Sequence, residues 1–221
     1  MISVLTLTYK RYKILEEAIY SFALQKRPDC EMLIINDAED VEYHIDLPNV
    51  KIFNLKDRFS SISKKLQWGF NQSRYQHVYR LDDDDLLHRN ALNIVSNYID
   101  GSSDVYRSKS HHLFVNNSYQ GIHNNINTGN IYNKDYINRI QFKDVSFGED
   151  DDITFKHGAK IKEYTDITMI YRWGMGTYHV SGMGQVEEQE IKRRVDSVST
   201  ESGRIILQPN FAEDYYAKIS N

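Results

Sequence analysis

The sequence predicts an α/β protein built on an open, mixed but mostly parallel sheet that is flanked by helices. Apolar, β-rich runs alternate with helix-like segments through residues 1–100, the pattern of strands joined by crossover helices. The opening run, residues 2–8, is mostly apolar, as in a strand that is buried on both faces. A chain of 221 residues fits one domain with a substantial core, so we expect a single domain over residues 1–221.

In the first half, strands are expected at residues 2–8, 31–35, 50–55 and 77–81. The helices between and after them carry apolar residues at helical spacing. These residues are Leu15, Ala18, Ile19 and Phe22 in a helix over 12–25, then Ile62, Leu66 and Phe70, and finally Ala91, Ile94, Val95 and Tyr98. Because ligands of open α/β sheets bind beyond the carboxyl ends of the strands, we expect residues 8–11, 36–37 and 82–85 to share one edge.

The second half is less regular. Residues 104–123 have the pattern of a hairpin or long loop that turns near Asn116 and Asn117, and a short strand is expected at Ile131 and Tyr132. A second acidic cluster, residues 149–152, opens a short helix that Gly158 ends. Acidic residues favour the first turn of any helix, so this cluster also has a purely structural interpretation. A glycine-rich segment, 174–184, precedes a charged tail that ends in aromatic residues.

Composition excludes some classes of function. A net charge of −4 gives no basic footprint, so a nucleic-acid partner is not favoured. Cys30 is the only cysteine and has no internal disulfide partner, which fits a reducing, cytoplasmic compartment. Met1 leads directly into a strand-like run, and no apolar stretch approaches membrane-spanning length. We therefore expect no signal peptide and no membrane span.

Four consecutive carboxylates, Asp82 to Asp85, follow the fourth predicted strand. Adjacent negative charges repel one another, and burial increases that cost. A divalent cation would reverse the balance, because carboxylate oxygens are hard ligands suited to Mn²⁺ or Mg²⁺. A solvated acidic turn is the alternative. An EF-hand is excluded, since the sixth residue counted from Asp82 is Leu87 rather than glycine.

Segments at the strand ends, together with the second acidic cluster, carry a resemblance to a known family. They are Thr8-Tyr9-Lys10-Arg11, Asn36-Asp37, Asp82-Asp83-Asp84 and Phe147-Gly148-Glu149-Asp150-Asp151-Asp152. In this order they resemble the nucleotide-sugar glycosyltransferases of the GT-A fold, a Rossmann-like fold, and most closely the large family called family two. The last segment is also similar to that of the β-1,4-galactosyltransferases. The match depends on the order and spacing of motifs that are each short.

The resemblance implies an inverting, metal-dependent glycosyltransferase that uses a UDP-sugar donor with Mn²⁺ or Mg²⁺. It implies a general base at Asp150 and metal ligands at Asp82 and Asp84, with His179 as a later ligand and Met175 as a weaker substitute. For the donor, the resemblance implies that Asp37 contacts the base and that Thr8 and Tyr9 line the base pocket. Asp83 is expected to face the ribose, and Asp82 also belongs to the donor-binding set. Arg11 and Lys64 are expected to contact the diphosphate. Residues 174–184 are expected to form a lid.

The resemblance further divides the domain into a nucleotide-sugar-binding half (1–100), an acceptor and catalytic half (101–184) and a C-terminal extension (185–221). The acceptor stays open among a glycan, a glycolipid, a protein and a modified nucleotide. A non-catalytic nucleotide- or glycan-binding protein of the same fold is the alternative function. A metal-dependent nucleotidyltransferase is a weaker one, because the glycine-rich opening loop expected of it is missing.

Overall fold

The computed structural model describes residues 1–124, 126–146, 148–174 and 201–220. Its strands are β1 Ile2–Thr8, β2 Cys30–Asn36, β3 Val41–His44, β4 Val50–Asn54, β5 His77–Arg80, β6 Leu86–Leu87, β7 Val105–Ser108, β8 Ser110–Val115, β9 Ser118–Asn124, β10 Ile131–Asn133, β11 Ile161–Tyr164, β12 Met169–Trp173 and β13 Gly203–Ile206. Its helices are α1 Tyr12–Ala23, α2 Ile62–Gln72, α3 Ala91–Tyr98, α4 Lys134–Ile137, α5 Glu149–Phe155 and α6 Tyr215–Ser220.

The central sheet has the strand order β11-β7-β10-β5-β1-β2-β4. Its strands run parallel except for β10, which is antiparallel to both β5 and β7. The predicted open, mixed but mostly parallel sheet is therefore confirmed. Strand β2 shows why both faces are covered: Met32 and Ile34 enter one core cluster, whereas Leu33 and Ile35 enter the other.

Helices cover both faces of this sheet. Helices α1 and α3 place their apolar residues in the cluster that contains Met32, and α2, α4 and α5 place theirs in the cluster that contains Leu33. Helix α2 approaches β1 closely at Gly69, where a Cβ atom would lie 2.6 Å from a methyl carbon of Leu5. Helix α1 ends at Ala23, two residues before the predicted end, because Lys26 adopts a left-handed φ of 51° that reverses the chain.

A second sheet, β6-β12-β8-β9, lies beside the carboxyl ends of the central strands. Strands β8 and β9 form the expected hairpin, and Asn116 and Asn117 at its turn have left-handed φ values of 47° and 63°. The rest of the predicted hairpin region differs, since β7 joins the central sheet instead. The sequence analysis did not predict strands β3, β6, β11, β12 and β13.

Residues 201–220, the described part of the C-terminal extension, pack against the rest of the fold. Strand β13 pairs in parallel with β3 at a separate two-stranded edge. Helix α6 buries Tyr215 and Tyr216 against Leu86 and Phe114 of the second sheet. Within the described residues, every helix is too short or too polar to cross a lipid bilayer.

Candidate active site

The carboxyl ends of three central strands meet at one edge, as the sequence predicts. Thr8 pairs with Asn36 in the parallel register of β1 and β2, and Leu5 pairs with Arg80 in that of β1 and β5. The chain therefore delivers residues 8–11, Asp37 and the acidic loop (residues 82–85) to the same edge.

The acidic loop is a tight turn with most of its side chains buried. The amide of Asp85 donates to the carbonyl oxygen of Asp82 at 3.1 Å. Asp83, Asp84 and Asp85 are buried, whereas Asp82 is half-buried. The solvated acidic turn is thus not what the chain forms.

Arg11 holds the middle of the acidic loop. Its Nε donates to Asp83 Oδ2 at 3.1 Å, a second nitrogen forms an ion pair with the other oxygen of Asp83, and Nη1 lies 3.2 Å from Asp84 Oδ2. Burial raises the pKa of Asp83 to about 6, although the Arg11 charge acts against this shift. Asp83, which we expected to face a ribose, is fully buried against Arg11.

The structure adds Asp85 to the two predicted metal ligands of the loop. Asp82, Asp84 and Asp85 each offer a carboxylate oxygen, and these oxygens all lie within 4.8 Å of one another. Asp85 Oδ1 accepts from the amide of Arg172 at 2.9 Å, while its buried Oδ2 has no hydrogen-bond donor among the described residues. Hard oxygen donors at this spacing, one of them unsatisfied, fit a divalent cation.

The electrostatics of the loop lead to the same conclusion. Burial raises the pKa of Asp82, and it raises the pKa of Asp85 well above its ordinary value. The neighbouring Asp84 carboxylate adds to both shifts by like-charge repulsion. Arg80 and Arg11 lower the pKa of Asp82, and Arg172 lowers that of Asp85. Both net shifts stay upward, so a bound cation would stabilise the ionised loop.

A residue of the second sheet, Arg172, contacts the acidic loop. Arg172 of β12 is fully buried, and its Nε donates to the backbone carbonyl of Asp84 at 2.5 Å. Its guanidinium also forms an ion pair with Glu17 of α1 and lies 3.1 Å from the hydroxyl of Tyr215 in α6. The loop is therefore fixed to both α1 and the C-terminal helix.

Asp37 lies at the edge as predicted, but its carboxylate is already engaged. Lys65 Nζ lies 2.5 Å from Asp37 Oδ1 and 2.6 Å from the carbonyl oxygen of Thr8, and the amide of Phe59 donates to Asp37 Oδ2 at 3.1 Å. The residue of α2 that enters the site is thus Lys65. Its predicted neighbour Lys64 has its amide capped by Ser61 at 3.3 Å.

Aromatic and cationic groups line the opening next to Asp37. The guanidinium carbon of Arg58 lies 4.2 Å from the ring centroid of Tyr9, within the range of a cation–π contact. Thr8 is buried, and Tyr9 is half-buried. The stacked pair of Tyr9 and Arg58 gives the opening a flat, partly apolar border that suits a planar base.

Helix α5 carries the second acidic cluster to the same edge. Gly148 precedes it with a left-handed φ of 70°, a conformation that glycine adopts without strain. Glu149 Oε1 accepts from Arg80 Nη2 at 2.8 Å, and Asp150 forms an ion pair with Nη1 of the same guanidinium. Arg80 Nη2 also lies 3.1 Å from Asp82 Oδ1, so one arginine connects Asp150 with the acidic loop.

The other two acidic residues of α5 point elsewhere. Asp151 accepts from Asn127 Nδ2 at 2.7 Å, and Asp152 contacts His157 Nε2 at 3.1 Å and Lys143 Nζ at 3.2 Å. Of the four carboxylates, Glu149 and Asp150 are the ones that meet Arg80. His179, Met175 and the expected lid beyond Gly174 lie outside the described residues.

Sequence reasoning missed Arg80, Lys65, Arg58 and Asp85 as members of this site. A signal was present for two of them. Lys65 lies on the buried stripe of α2 between Ile62 and Gly69. Arg80 is a charged residue that directly follows Val78 and Tyr79 at the end of a predicted strand.

Comparisons with known proteins bear on the family and the fold of this chain. The family described as Glycosyl transferase family 2 matches residues 3–159. Among solved structures, S. aureus TarS 1-349 in complex with UDP-GlcNAc is 19% identical with a TM-score of 0.66, and the match covers 89% of this chain and 65% of that one. The same protein in complex with UDP is 20% identical with a TM-score of 0.63 over 77% of this chain and 60% of that one.

HddC from Yersinia pseudotuberculosis is 14% identical with a TM-score of 0.52, over 89% of this chain and 99% of that chain. At these identities the structural similarity shows the fold alone. This chain spans about 60% of the length of the TarS 1-349 structure in its UDP complex. The comparison with curated protein sequences gives no match.

Proposed function

Because this chain belongs to glycosyl transferase family 2, we propose that it is an inverting glycosyltransferase that moves a sugar from a UDP-sugar to an acceptor hydroxyl. The observation that carries the proposal is the Arg80 contact set. It places a cluster of metal-type carboxylates and a separate carboxylate, Asp150, beside each other at the ligand-binding edge of the sheet.

Donor binding is assigned to the first half of the chain, residues 1–100. We infer that the base lies beside the stacked pair of Tyr9 and Arg58, with Asp37 and Thr8 forming the floor of the pocket. Asp37 keeps lone pairs for the base while Lys65 holds it in place. Arg11, which contacts Asp83 and Asp84 of the acidic loop, is assigned to the diphosphate.

The residues proposed to hold Mn²⁺ or Mg²⁺ are Asp82, Asp84 and Asp85, with His179 as a further candidate. When bound, a divalent cation supplies Lewis-acid stabilisation of charge on the departing diphosphate. Arg11 contributes positive charge to the same place from the protein side.

Asp150 is the proposed general base in the acceptor half, residues 101–184. Its carboxylate takes the proton of the acceptor hydroxyl while that oxygen forms a bond to the anomeric carbon. The bond from that carbon to the diphosphate oxygen breaks on the opposite face, so the anomeric configuration is inverted. The acceptor is proposed to be a glycan, glycolipid, protein or modified nucleotide, and the cytoplasmic location is proposed from the single buried thiol of Cys30.

The test is a donor screen that measures UDP release. UDP-glucose, UDP-galactose, UDP-GlcNAc and, as a base control, GDP-mannose are incubated with Mn²⁺, Mg²⁺ or excess EDTA. We expect slow hydrolysis of a UDP-sugar that EDTA abolishes. Tight UDP binding without turnover of any donor would instead favour a non-catalytic nucleotide-binding protein.

A further inference from the structure

Arg80 is a buried cation in a position where a parallel strand usually carries an apolar residue. It ends β5, and only 5% of its surface is exposed. Side chains alternate along a strand, so Arg80 shares a face with Val78. Val78 packs in the same core cluster as Ile153 of α5, so the Arg80 guanidinium meets the first turn of that helix.

Three carboxylates from two parts of the chain surround this guanidinium. Nη2 lies 2.8 Å from Glu149 Oε1 and 3.1 Å from Asp82 Oδ1, and Nη1 forms the ion pair with Asp150. Burial lowers the pKa of Arg80, but Asp82 and Glu149 outweigh burial and raise it above its ordinary value. The cation is therefore permanent, and its planar fork can fix two carboxylates at once.

We propose that Arg80 is a positioning residue that fixes the carboxylate of Asp150 relative to Asp82. The inference rests on the proposed function and goes beyond it, because it gives the reaction a residue that touches neither donor nor acceptor. Arg80 holds the Asp150 carboxylate next to the acidic loop, where the acceptor hydroxyl has to be deprotonated. It also competes with a divalent cation for Asp82.

The alternative is that Arg80 only neutralises buried charge, and the two roles differ in measurable ways. A structural role would lower thermal stability, donor affinity and turnover together. A positioning role lowers kcat while the KM for the UDP-sugar stays nearly constant, because Asp150 acts only in the transition state.

The experiment compares Arg80→Gln, Arg80→Lys and a control, Arg27→Gln. Arg27 is a matched arginine that pairs with Asp29 at 2.6 Å, before the amino end of β2 and far from the acidic loop along the strand. For Arg80→Gln we expect kcat of UDP-sugar hydrolysis to fall by about 10²-fold, the typical cost of a misplaced catalytic group, with KM changed by less than about threefold. Arg80→Lys keeps the charge but lacks the planar fork, so its kcat should stay well below that of the wild type. Arg27→Gln should match the wild type.

A double variant isolates the link to Asp150. If Arg80 acts through that carboxylate, Arg80→Gln added to Asp150→Asn should lower kcat little further than Asp150→Asn alone. If the fold-decrease in kcat of the double variant equalled the product of the decreases of the two single variants, the inference would be overturned. An Arg80→Gln protein that keeps near-normal kcat, or an Arg80→Lys protein with the kcat of the wild type, would also overturn it.

Metal affinity gives a readout that is independent of turnover. Electron paramagnetic resonance of free Mn²⁺, without nucleotide, should show that Arg80→Gln binds Mn²⁺ more tightly, because Asp82 has lost its competing cation. Unchanged or weaker binding would refute the link to Asp82. If the wild-type chain released no UDP, the proposed function would fail and the inference with it. If the wild type turned over and Arg80→Gln equalled it, the inference alone would fail.

Discussion

Lys65 of α2 reaches across the top of the sheet to Asp37, where its Nζ lies 2.5 Å from Oδ1. Both side chains are buried. Burial lowers the pKa of Lys65, although the Asp37 charge acts in the opposite direction. The pair therefore fixes the end of β2 to α2 directly under the proposed base pocket.

Removal of one member of this pair should be costly. Lys65→Met leaves Asp37 as a buried carboxylate without its cation, so we expect the free energy of unfolding to fall by about 3–5 kcal/mol in a urea titration. Lys64→Met is the matched control from the same helix and should change stability by less than about 0.5 kcal/mol. Equal effects of the two substitutions would show that Lys65 is not buried in the pair.

Asp84 tests the cation site. Asp84→Asn removes one charge from the oxygen cluster while it keeps the size of the side chain, so metal-dependent UDP binding and UDP release should both be lost. Calorimetry of UDP with and without Mn²⁺ measures the first, and circular dichroism checks the fold. The control is Asp46→Asn, an exposed carboxylate outside the acidic loop. Wild-type turnover that persists in excess EDTA would argue against a cation at this site.

Asp150 tests the chemistry. Asp150→Asn should lower kcat by at least about 10²-fold, the range of general base catalysis, and leave UDP-sugar affinity nearly unchanged. Asp151→Asn on the next residue should have little effect on kcat, because Asp151 faces Asn127. Proton NMR of the product should show an inverted anomeric centre. Retention of the donor configuration would rule out Asp150 as an inverting base.

His111 should make the fold sensitive to acid. Burial lowers the pKa of this histidine from 6.5 to about 4. The unfolded chain then binds a proton that the folded chain does not, so stability falls as the pH decreases from about 6.5 towards about 4. At 1.36 kcal/mol per pH unit, the loss at pH 4 is roughly 3 kcal/mol.

Urea titrations at about pH 7 and about pH 5 measure this dependence. His111→Gln keeps a donor for the carbonyl oxygen of Ile126, which lies 3.2 Å from Nε2, and should show a smaller loss on acidification than the wild type. His123→Gln, on the facing exposed strand, should retain the wild-type loss. A wild-type drop preserved in His111→Gln would place the acid sensitivity elsewhere.

Periodicity predicts the parts of the fold whose residues lie close together in sequence. Strand β1 and helix α1 have long, regular apolar patterns, and both formed close to their expected bounds. Strands β3 and β13 were missed because they are short and pair with each other across most of the chain. A local sequence pattern does not reveal a contact between residues so far apart in the chain.

In the candidate site too, features local in sequence could be predicted and long-range contacts could not. The acidic loop could be recognised from the sequence because four consecutive carboxylates repel one another unless a cation binds them. The predicted order of strands then placed the loop at the same sheet edge as Asp37. Lys64 was chosen over Lys65 because charge alone does not distinguish neighbours, whereas the buried stripe of α2 does. The contacts of Arg80 with α5 join residues 69 positions apart and required the fold.

The contact of Arg172 with the acidic loop also has a consequence for how the protein is made. Arg172 holds the Asp84 carbonyl, and Glu17 and Tyr215 hold Arg172. During synthesis, β1, β2, β4 and β5 leave the ribosome first and can pair while the chain is still growing. The loop that they present stays without its full support until helix α6 has emerged. The support of the acidic loop is therefore complete only after α6 has been synthesised, and a product shortened before α6 would carry the central sheet with a loop that lacks the Tyr215 contact.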